Sequence, residues 1–281
     1  MPYAQLEDRS VLRLSGSDAG TFLQTLVTAD IAAMPDGLAR LSALLTPQGK
    51  ILFDFLVSKI ESGYRIECAA AVRDALAKRL TLYKLRAKVA VEPTDEAVFA
   101  LWDKGETPAG AMRDERFGGA KVYRLYGEAP AGSEPADATV FRSLRLRSGV
   151  AEAETDYPPS EMFPHDVLLD QNGGVSFKKG CFVGQEVVSR MQHRGTARRR
   201  LMLANGERDL TEGANVISGE AKIGTLLAAA ERSGIAVVRT DKLASGLADG
   251  ASLSVDGVPV ELTIPSWAGY ALPVDAEASE A

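Results

Sequence analysis

A single cysteine stands in a segment that combines glycines, a Gln-Glu pair and basic side chains. Residues 178–200 read KKGCFVGQEVVSRMQHRGTARRR, and Cys181 lies between Gly180 and Gly184. Glycines permit tight turns and a close approach of the backbone to a ligand. The thiolate form of cysteine is the reactive one, and neighbouring cations favour it. The segment therefore predicts a reactive thiol beside a site for anions.

The residues after the cysteine have the pattern of a helix. An apolar stripe at helical spacing and Gly195, in the position of a C-cap, predict a helix from about Val183 to His193 that begins just after Cys181. The N–H groups at its start would lie near Lys178 and Lys179, which is the arrangement of an anion site. The stripe consists of Val187, Val188 and Met191.

Plainer interpretations of the same residues stay open. A lone cysteine near a turn is often a small buried apolar residue, and the arginines near residue 198 can form a solvated edge. A pairing of Cys181 with His193 is left open. A metal site is not expected, because the sequence has no C-x-x-C and two histidines in all. Cys68 lies in an alternating strand pattern and is predicted to be a core residue.

The first 200 residues mix strands and helices without the regular alternation of a doubly wound sheet, which favours the α+β class. Ser17 is placed to cap a helix with a buried apolar face, and the turn from Thr46 to Gly49 predicts a hairpin. A strand is expected to end before Pro93, and residues 103–120 and 127–138 are expected to be loops. The helix face consists of Phe22, Leu23 and Leu26, and further helices are predicted over residues 72–83 and 139–150.

The pattern changes near residue 200. Beyond it, short alternating runs are separated by glycines, which predicts a small all-β unit that includes IAVVRTDKL as a strand. We expect an α+β region at 1–200, made of two interleaved subdomains with a hairpin-containing unit at about 40–135. A β-barrel is expected at 201–274, and a disordered tail at 275–281.

The composition narrows the classes of function. The 281 residues carry a net charge of −6 with a pI of about 5.2, which argues against a general coat for nucleic acids. Two cysteines cannot form a disulfide framework, so a reducing compartment is expected. No apolar run approaches the roughly 20 residues of a membrane helix. The N-terminus lacks a signal or transit pattern, and we expect a cytoplasmic protein without membrane partners.

The stretch KKGCFVGQE is similar to the K-G-C-F/Y-x-G-Q-E signature of the folate-binding YgfZ family. That family is related to the T protein, the aminomethyltransferase of the glycine cleavage system, and to a mitochondrial iron–sulfur assembly factor. LLTPQGKILFDFLV resembles the family's hairpin, Arg147 with Gly149 resembles an arginine–glycine pair before the signature, and RGTARRRL resembles the entry to its barrel. The resemblance implies a ring of ferredoxin-like or related α+β folate-binding subdomains with a small C-terminal β-barrel.

The same resemblance implies ligands and partners. Tetrahydrofolate or a one-carbon derivative is the expected cofactor, and iron–sulfur assembly proteins or [4Fe–4S] client enzymes, including tRNA-modifying ones, are the expected partners. Cys181 would then serve transient cluster contact or redox chemistry. Asp54 matches the aspartate that helps catalysis in the T protein, where it would stabilise a cation or accept a proton. Glu161 matches its pterin-binding glutamate.

These matches give a set of candidate folate ligands. A pterin needs flat apolar walls and a carboxylate or amide at its amino-pyrimidine edge, whereas the glutamate tail needs cations. Arg147 and the glycines Gly180 and Gly184 join the set through the matched motifs. The candidates for the pterin edge are Asp54, Glu161, Gln185 and Glu186, and those for the tail are Lys178, Lys179, Arg194 and Arg198.

Three functions follow, and a folate-binding accessory protein for iron–sulfur enzymes is the favoured one. An aminomethyl or other one-carbon transferase is the second, for which Asp54 speaks. An RNA-binding module is the third, suggested by the run RRR at 198–200. The overall acidity and the lack of stacking aromatics near this run argue against direct binding of nucleic acid.

Overall fold

A computed structural model describes residues 1–103 and 105–273 of the chain. It contains one ten-stranded sheet, five α-helices and a closed six-stranded barrel within these residues. The expected α+β class with a C-terminal β-barrel is confirmed. The predicted disordered tail at 275–281 lies outside the described residues.

The large sheet consists of two halves that are joined along one pair of strands. Its strands in chain order are β1 (Pro2–Gln5), β2 (Arg9–Ser15), β3 (Leu38–Leu45), β4 (Ile51–Ile60), β5 (Gly63–Ala69), β6 (Ala90–Thr94), β7 (Val98–Trp102), β8 (Met112–Asp114), β9 (Val122–Tyr126) and β10 (Glu134–Pro135). The order across the sheet is β10-β1-β7-β9-β8-β3-β4-β5-β2-β6, and β3 and β8 join the halves as parallel neighbours. The chain therefore places β1 and β2 in opposite halves.

The predicted hairpin is present between β3 and β4. The Thr46 N–H donates to the Lys50 carbonyl at 2.8 Å, and the Gly49 N–H donates to the Thr46 carbonyl at 2.9 Å. Gly49 has a φ of 80°, a conformation that favours glycine. The hairpin brings Asp54 to the middle of β4, opposite Ala43 of β3.

Five helices and one 3₁₀ turn accompany the strands, at α1 (Ala19–Leu26), the 3₁₀ turn (Ala70–Val72), α2 (Arg73–Tyr83), α3 (Ala138–Arg147), α4 (Gln185–Arg194) and α5 (Thr240–Ala248). The predicted buried face of α1 is confirmed. The predicted Ser17 cap is wrong, because Asp18 holds the N-cap position and its carboxylate accepts from the Lys88 N–H at 2.7 Å instead. Helix α4 begins at Gln185, two residues later than predicted.

Predictions about strands and loops are also wrong in three places, the first being the expected loop at 127–138, which contains β10 paired with β1. Strand β6 continues through Pro93, which lies opposite Leu12 in the register. It is an edge strand of the sheet, and proline is tolerated there because one side of the strand needs no backbone donor. The stretch 103–120 contains β8, which pairs with β3 and β9 and owes its place to these long-range partners.

The barrel follows at β11 (Arg199–Gly206), β12 (Asn215–Ser218), β13 (Ala221–Ala230), β14 (Ser233–Arg239), β15 (Leu253–Val255) and β16 (Val258–Thr263). Its strands close in the order β11-β14-β13-β12-β15-β16. The unit is not wholly β, since the predicted strand IAVVRTDKL ends at Arg239 and its last residues begin α5.

An irregular segment at 148–184 fills the space between the sheet and the barrel. Its buried side chains share one hydrophobic cluster with residues of β3, β4 and the barrel. Tyr157 and Phe182 of the segment pack in this cluster together with Leu41, Leu201 and Val237. The sheet and the barrel are thus held together through this segment. Within the described part of the chain, no helix is long and apolar enough to span a membrane.

Candidate functional site

The Cys181 thiol is exposed on a segment that is anchored on its C-terminal side. Cys181 is a free cysteine and Phe182, the next residue, is buried with 7% exposure. Val183 packs against the hydrophobic cluster that contains residues of β2, β4 and β5. The other cysteine, Cys68, is fully buried as predicted, and burial raises the pKa of its thiol to about 11. Only the Cys181 thiol is therefore accessible to molecules in solution.

Gly184 is required by the protein's own packing. It has a φ of 76°, and a Cβ at this position would lie 2.5 Å from the Thr46 carbonyl oxygen. The close approach is thus to the hairpin turn, which corrects the prediction that Gly184 makes room for a ligand. Gly180 is exposed, and a Cβ added there would meet no atom within 4 Å.

The two lysines before the cysteine have different surroundings. Lys178 is exposed, whereas Lys179 is buried. The Lys179 ammonium donates to the carbonyls of Val27 at 2.6 Å and Ala29 at 2.9 Å, just beyond the end of α1. Burial lowers its pKa to about 8. Lys179 therefore satisfies backbone acceptors, which gives no support to its predicted role as a ligand for a folate tail.

Helix α4 presents a charged outer face beside the cysteine segment. Glu186 pairs with Arg190 one turn later, and both side chains are mostly exposed. Arg194 is exposed in the last turn, and Gln185 is half-buried with its N–H donating to the Phe182 carbonyl. His193 lies at the far end of the helix, about 12 Å along the axis from its first residue. The helix axis therefore separates Cys181, which precedes α4, from the proposed His193 partner.

Asp54 is sealed inside the protein. Its Oδ2 accepts from the Ala153 N–H at 2.8 Å and from the Tyr157 hydroxyl at 3.0 Å. Burial raises the pKa of this carboxyl above its ordinary value. Asp54 does not line the large cavity described below. The arrangement has the geometry of a structural hydrogen-bond junction, so it gives no support to the predicted catalytic role.

A network of buried charges surrounds Asp54. Arg116 donates to Asp114 and to Glu152, the latter at 2.6 Å. Arg9 donates to Glu67 at 3.0 Å, and Arg145 pairs with Asp156 and Glu152. The four carboxylates lie among arginines on every side, which keeps the pKa of Glu152 well below its usual range. The arginines are Arg9, Arg116, Arg124 and Arg145, and the carboxylates are Glu67, Asp114, Glu152 and Asp156.

Arg147 lies outside the buried network, and its predicted role in folate binding stays a prediction. This residue is exposed at the end of α3, whereas Arg145 points into the buried network. Helical spacing could have predicted that Arg145 is buried, because it lies four residues after the buried Phe141 and therefore on the same face of the helix. Arg145 also donates to the Val150 carbonyl at 2.7 Å and so fixes the start of the irregular segment.

The arginine run at 198–200 mainly connects the barrel to the rest of the protein. Arg200 pairs with Asp170 at 2.8 Å, and Arg199 lies 3.7 Å from Asp166. The exposed Arg198 accepts the Thr240 N–H at its carbonyl and lines a second pocket of about 490 Å³. Two of the three guanidinium groups are thus paired with carboxylates of the segment 148–184.

A cavity of about 710 Å³ lies between the barrel and residues 156–162. Glu161 lies at its rim, with an exposed side chain and a carbonyl that accepts from the Lys50 ammonium at 2.8 Å. Among the twelve predicted site residues, Glu161 alone lines this cavity, and Cys181 lies elsewhere. The structure therefore does not bring the predicted thiol and the predicted pterin ligands into one pocket.

Sequence reasoning missed the cations of the cavity. Arg199 and Arg239 lie opposite each other on β11 and β14, and Lys222 and Lys242 come from β13 and α5. No spacing in the sequence joins these four residues, because barrel closure alone places them together. Residues 1–103 and 105–273 contain no group of three or more His, Cys, Asp and Glu side chains that could hold a metal ion.

The chain is similar in sequence to known proteins. Residues 198–270 match the family model described as the CAF17, C-terminal beta-barrel domain. The chain is 31% identical over 302 residues to the iron–sulfur cluster assembly factor IBA57, mitochondrial, of Homo sapiens, which covers 94% of this chain and 84% of the human protein. The mouse protein of the same name is 31% identical over 70% of this chain and 64% of its own length. The Pyricularia oryzae homolog is 30% identical over 71% and 56%.

A solved structure resembles the whole fold. The crystal structure of the glycine cleavage system aminomethyltransferase T from Bartonella henselae superposes with a TM-score of 0.71 at 15% identity. The match covers 95% of this chain and 86% of the other. At this identity the likeness shows the fold alone, which agrees with the resemblance noted in the sequence.

Proposed function

Because the chain belongs to the family of the iron–sulfur cluster assembly factor IBA57, we propose that it supports cluster assembly on recipient enzymes and acts through Cys181. The observation that carries this proposal is the exposed, free thiol held beside the buried Phe182. Lys178, three residues before the thiol, is also exposed. An accessible cysteine can ligate iron through its thiolate.

The number of accessible thiols defines the chemistry. An iron–sulfur cluster is usually held by four cysteine thiolates, and Cys68 is buried. Cys181 would therefore supply one ligand, and a partner protein would supply the others. Its thiolate would bind one iron as a partner's thiolate leaves, and the departing thiolate would take up the proton that Cys181 released. The exchange requires no oxidant or reductant.

The expected partners are iron–sulfur assembly proteins and [4Fe–4S] client enzymes, among which we include enzymes that modify tRNA. The test is depletion of the chain in its own host, followed by rescue with the wild-type gene. We expect depletion to lower the activity of [4Fe–4S] enzymes and the content of thiolated tRNA nucleosides, while cluster-free enzymes stay unchanged. Equal activity of [4Fe–4S] enzymes with and without the chain would refute the proposal.

We further propose that the large cavity binds tetrahydrofolate or a one-carbon derivative. Its volume of about 710 Å³ lies in the range of small-molecule sites. Met162, Leu226 and Val237 form an apolar wall, which suits a pterin ring. Glu161 lines the same cavity, and its carboxylate would accept hydrogen bonds from the amino-pyrimidine edge.

Titration calorimetry with tetrahydrofolate tests this assignment. We expect the wild type to bind, and Glu161→Gln to weaken binding by roughly tenfold, because a charged hydrogen bond is lost. Glu92→Gln is the matched control, since Glu92 is an exposed glutamate of β6 away from the cavity. Absence of binding heat with the wild type, or equal weakening by both variants, would refute the cavity as the folate site.

A further inference from the structure

The Cys181 thiol stands on a short loop whose two ends are both buried. Gly180 and Cys181 are exposed, whereas Lys179 before them and Phe182 after them are 9% and 7% exposed. The Lys179 ammonium lies 5.3 Å from the centroid of the Phe182 ring, within the distance of a cation–π contact. The two buried side chains therefore contact each other and close the loop 179–182.

Lys179 fastens this loop to the stretch of chain that follows α1. Its ammonium donates to the carbonyls of Val27 at 2.6 Å and of Ala29 at 2.9 Å. Residues 27–29, which we call the platform, are fully buried. Hydrogen bonds from a charged donor are stronger than those between neutral groups, so the attachment of the loop to the platform is strong.

The platform is itself fixed to β3 and to the irregular segment. The Thr28 N–H donates to the Ala43 carbonyl at 3.0 Å, and the Ala29 N–H donates to the Ser42 hydroxyl at 3.0 Å. The Thr28 hydroxyl donates to the Gly174 carbonyl at 2.6 Å. Lys179 therefore connects the loop that carries the thiol to a central strand of the large sheet.

The exposed part of the loop cannot hold the thiol in place by itself. Gly180 has no side chain, and a Cβ added there would meet no atom within 4 Å. Glycine also has more conformational freedom than any other residue. The orientation of Cys181 therefore depends on the two buried ends of the loop, which meet at the Lys179 ammonium.

We infer that Lys179 is a positioning residue for Cys181 and fixes the direction in which the thiolate is offered to a partner protein. This inference rests on the proposed exchange of an iron ligand at Cys181. The exchange needs one geometry, because misplacing a reacting group by about 1 Å can cost about 100-fold in rate. Alkylation by a small reagent in solution needs only an exposed thiol. Loss of Lys179 should therefore slow the exchange and leave the alkylation of Cys181 nearly unchanged.

The experiment compares Lys179→Met, which keeps a long unbranched side chain without charge, with Lys179→Arg, which keeps a charged donor. In the depleted host, we expect Lys179→Met to restore at most about one tenth of the [4Fe–4S] enzyme activity that the wild type restores, and Lys179→Arg about half or more. Iodoacetamide should modify Cys181 of the purified Lys179→Met protein within about threefold of the wild-type rate, since the thiol stays exposed.

Two controls separate positioning from a general loss of stability. Lys84→Met is the matched variant, because Lys84 is a half-buried lysine whose ammonium donates to the Val89 carbonyl at 3.1 Å, outside the loop. It should restore the wild-type activity. The buried Cys68 reports opening of the fold, and its alkylation should be as slow in Lys179→Met as in the wild type.

The other outcomes count against the inference. Restoration of the wild-type activity by Lys179→Met, while Cys181→Ser restores none, would overturn the positioning role and leave the proposed function standing. Faster alkylation of Cys68 in Lys179→Met, or equal failure of Lys179→Arg, would show that Lys179 serves the stability of the fold and not the direction of the thiol. Restoration by Cys181→Ser would overturn the proposed function and this inference with it.

Discussion

Two regions of this molecule hold most of its notable charged and reactive groups, and they use them in opposite ways. The network around Asp54 buries four arginines and their carboxylate partners in the centre of the protein. The segment 178–198 presents Cys181, Lys178, Arg194 and Arg198 at the surface. In the first region each charged side chain forms an ion pair with a neighbour, whereas in the second region these four side chains are exposed to solvent. The type of a residue therefore did not show whether it has a structural or a functional role. Its burial and its contacts did.

The buried network joins parts of the chain that are distant in sequence. Arg9 comes from β2, Arg124 from β9 and Arg145 from α3, while Glu152 lies in the irregular segment. Burying such charges is costly unless every member is paired. We interpret the network as the device that fixes the two halves of the sheet against α3 and the segment.

The largest effect is expected from removing one charge of the network. Glu152→Gln keeps the shape of the side chain but leaves Arg9, Arg116 and Arg145 short of one counter-charge. We expect the free energy of unfolding in urea to fall by about 3–5 kcal/mol. Glu186→Gln, which breaks an exposed pair on α4, should change it by less than about 1 kcal/mol. Similar losses in the two variants would remove the contrast between the regions.

The two cysteines sharpen the same contrast through their reactivity. Cys181 is exposed, whereas Cys68 is buried and has a pKa raised to about 11 by desolvation. We expect iodoacetamide at neutral pH to modify Cys181 at least ~100-fold faster, because Cys68 reacts only when the fold opens. Mass spectrometry of digested samples taken over time measures both rates. Comparable rates in the native protein would show that the burial pattern is wrong.

A smaller effect is expected from Asp54→Asn. The folded protein raises the pKa of this carboxyl above its ordinary value of 3.8, so the folded state binds the proton more tightly than the unfolded state. Asp54 therefore contributes stability that is fully present below the ordinary pKa and is lost as pH rises through the folded pKa. At pH 7 we expect Asp54→Asn to change the unfolding free energy by roughly 1 kcal/mol or less.

The pH dependence is the sharper readout for this variant. As pH falls from 7 towards 4, the wild type should gain stability relative to Asp54→Asn, which lacks the titrating group. Urea unfolding of both proteins across this range measures the difference. A difference that does not change with pH would mean that Asp54 titrates as it does in water, and the network would then not seal it.

Local patterns predicted the elements well where the cause is local. The hairpin at Thr46–Gly49, the buried face of α1, the helix predicted over residues 72–83 and the Gly195 end of α4 all follow from turn chemistry or helical spacing. Strand β8 did not follow, because it lies in a Gly-rich stretch and is formed by pairing with β3 and β9. Helix α5 was not predicted because its first residues directly follow the apolar strand β14 and were assigned to that strand.

The candidate site shows the same division. Cys181 is exposed and Glu161 lines the large cavity, and the roles proposed for both residues remain predictions. Lys179 and Gly184 were assigned to a ligand because a sequence does not show which way a side chain points or which loop approaches a glycine. Lys179 meets backbone carbonyls beyond α1, and Gly184 meets the hairpin turn.

The central claim is that Cys181 is the group through which the protein supports cluster assembly. It is tested most directly by rescue of the depleted host with Cys181→Ser or with Cys68→Ala, after thermal unfolding has shown that both variants fold. We predict that Cys68→Ala restores the activity of [4Fe–4S] enzymes and that Cys181→Ser leaves it at the depleted level. Restoration by Cys181→Ser to the wild-type level would contradict the account.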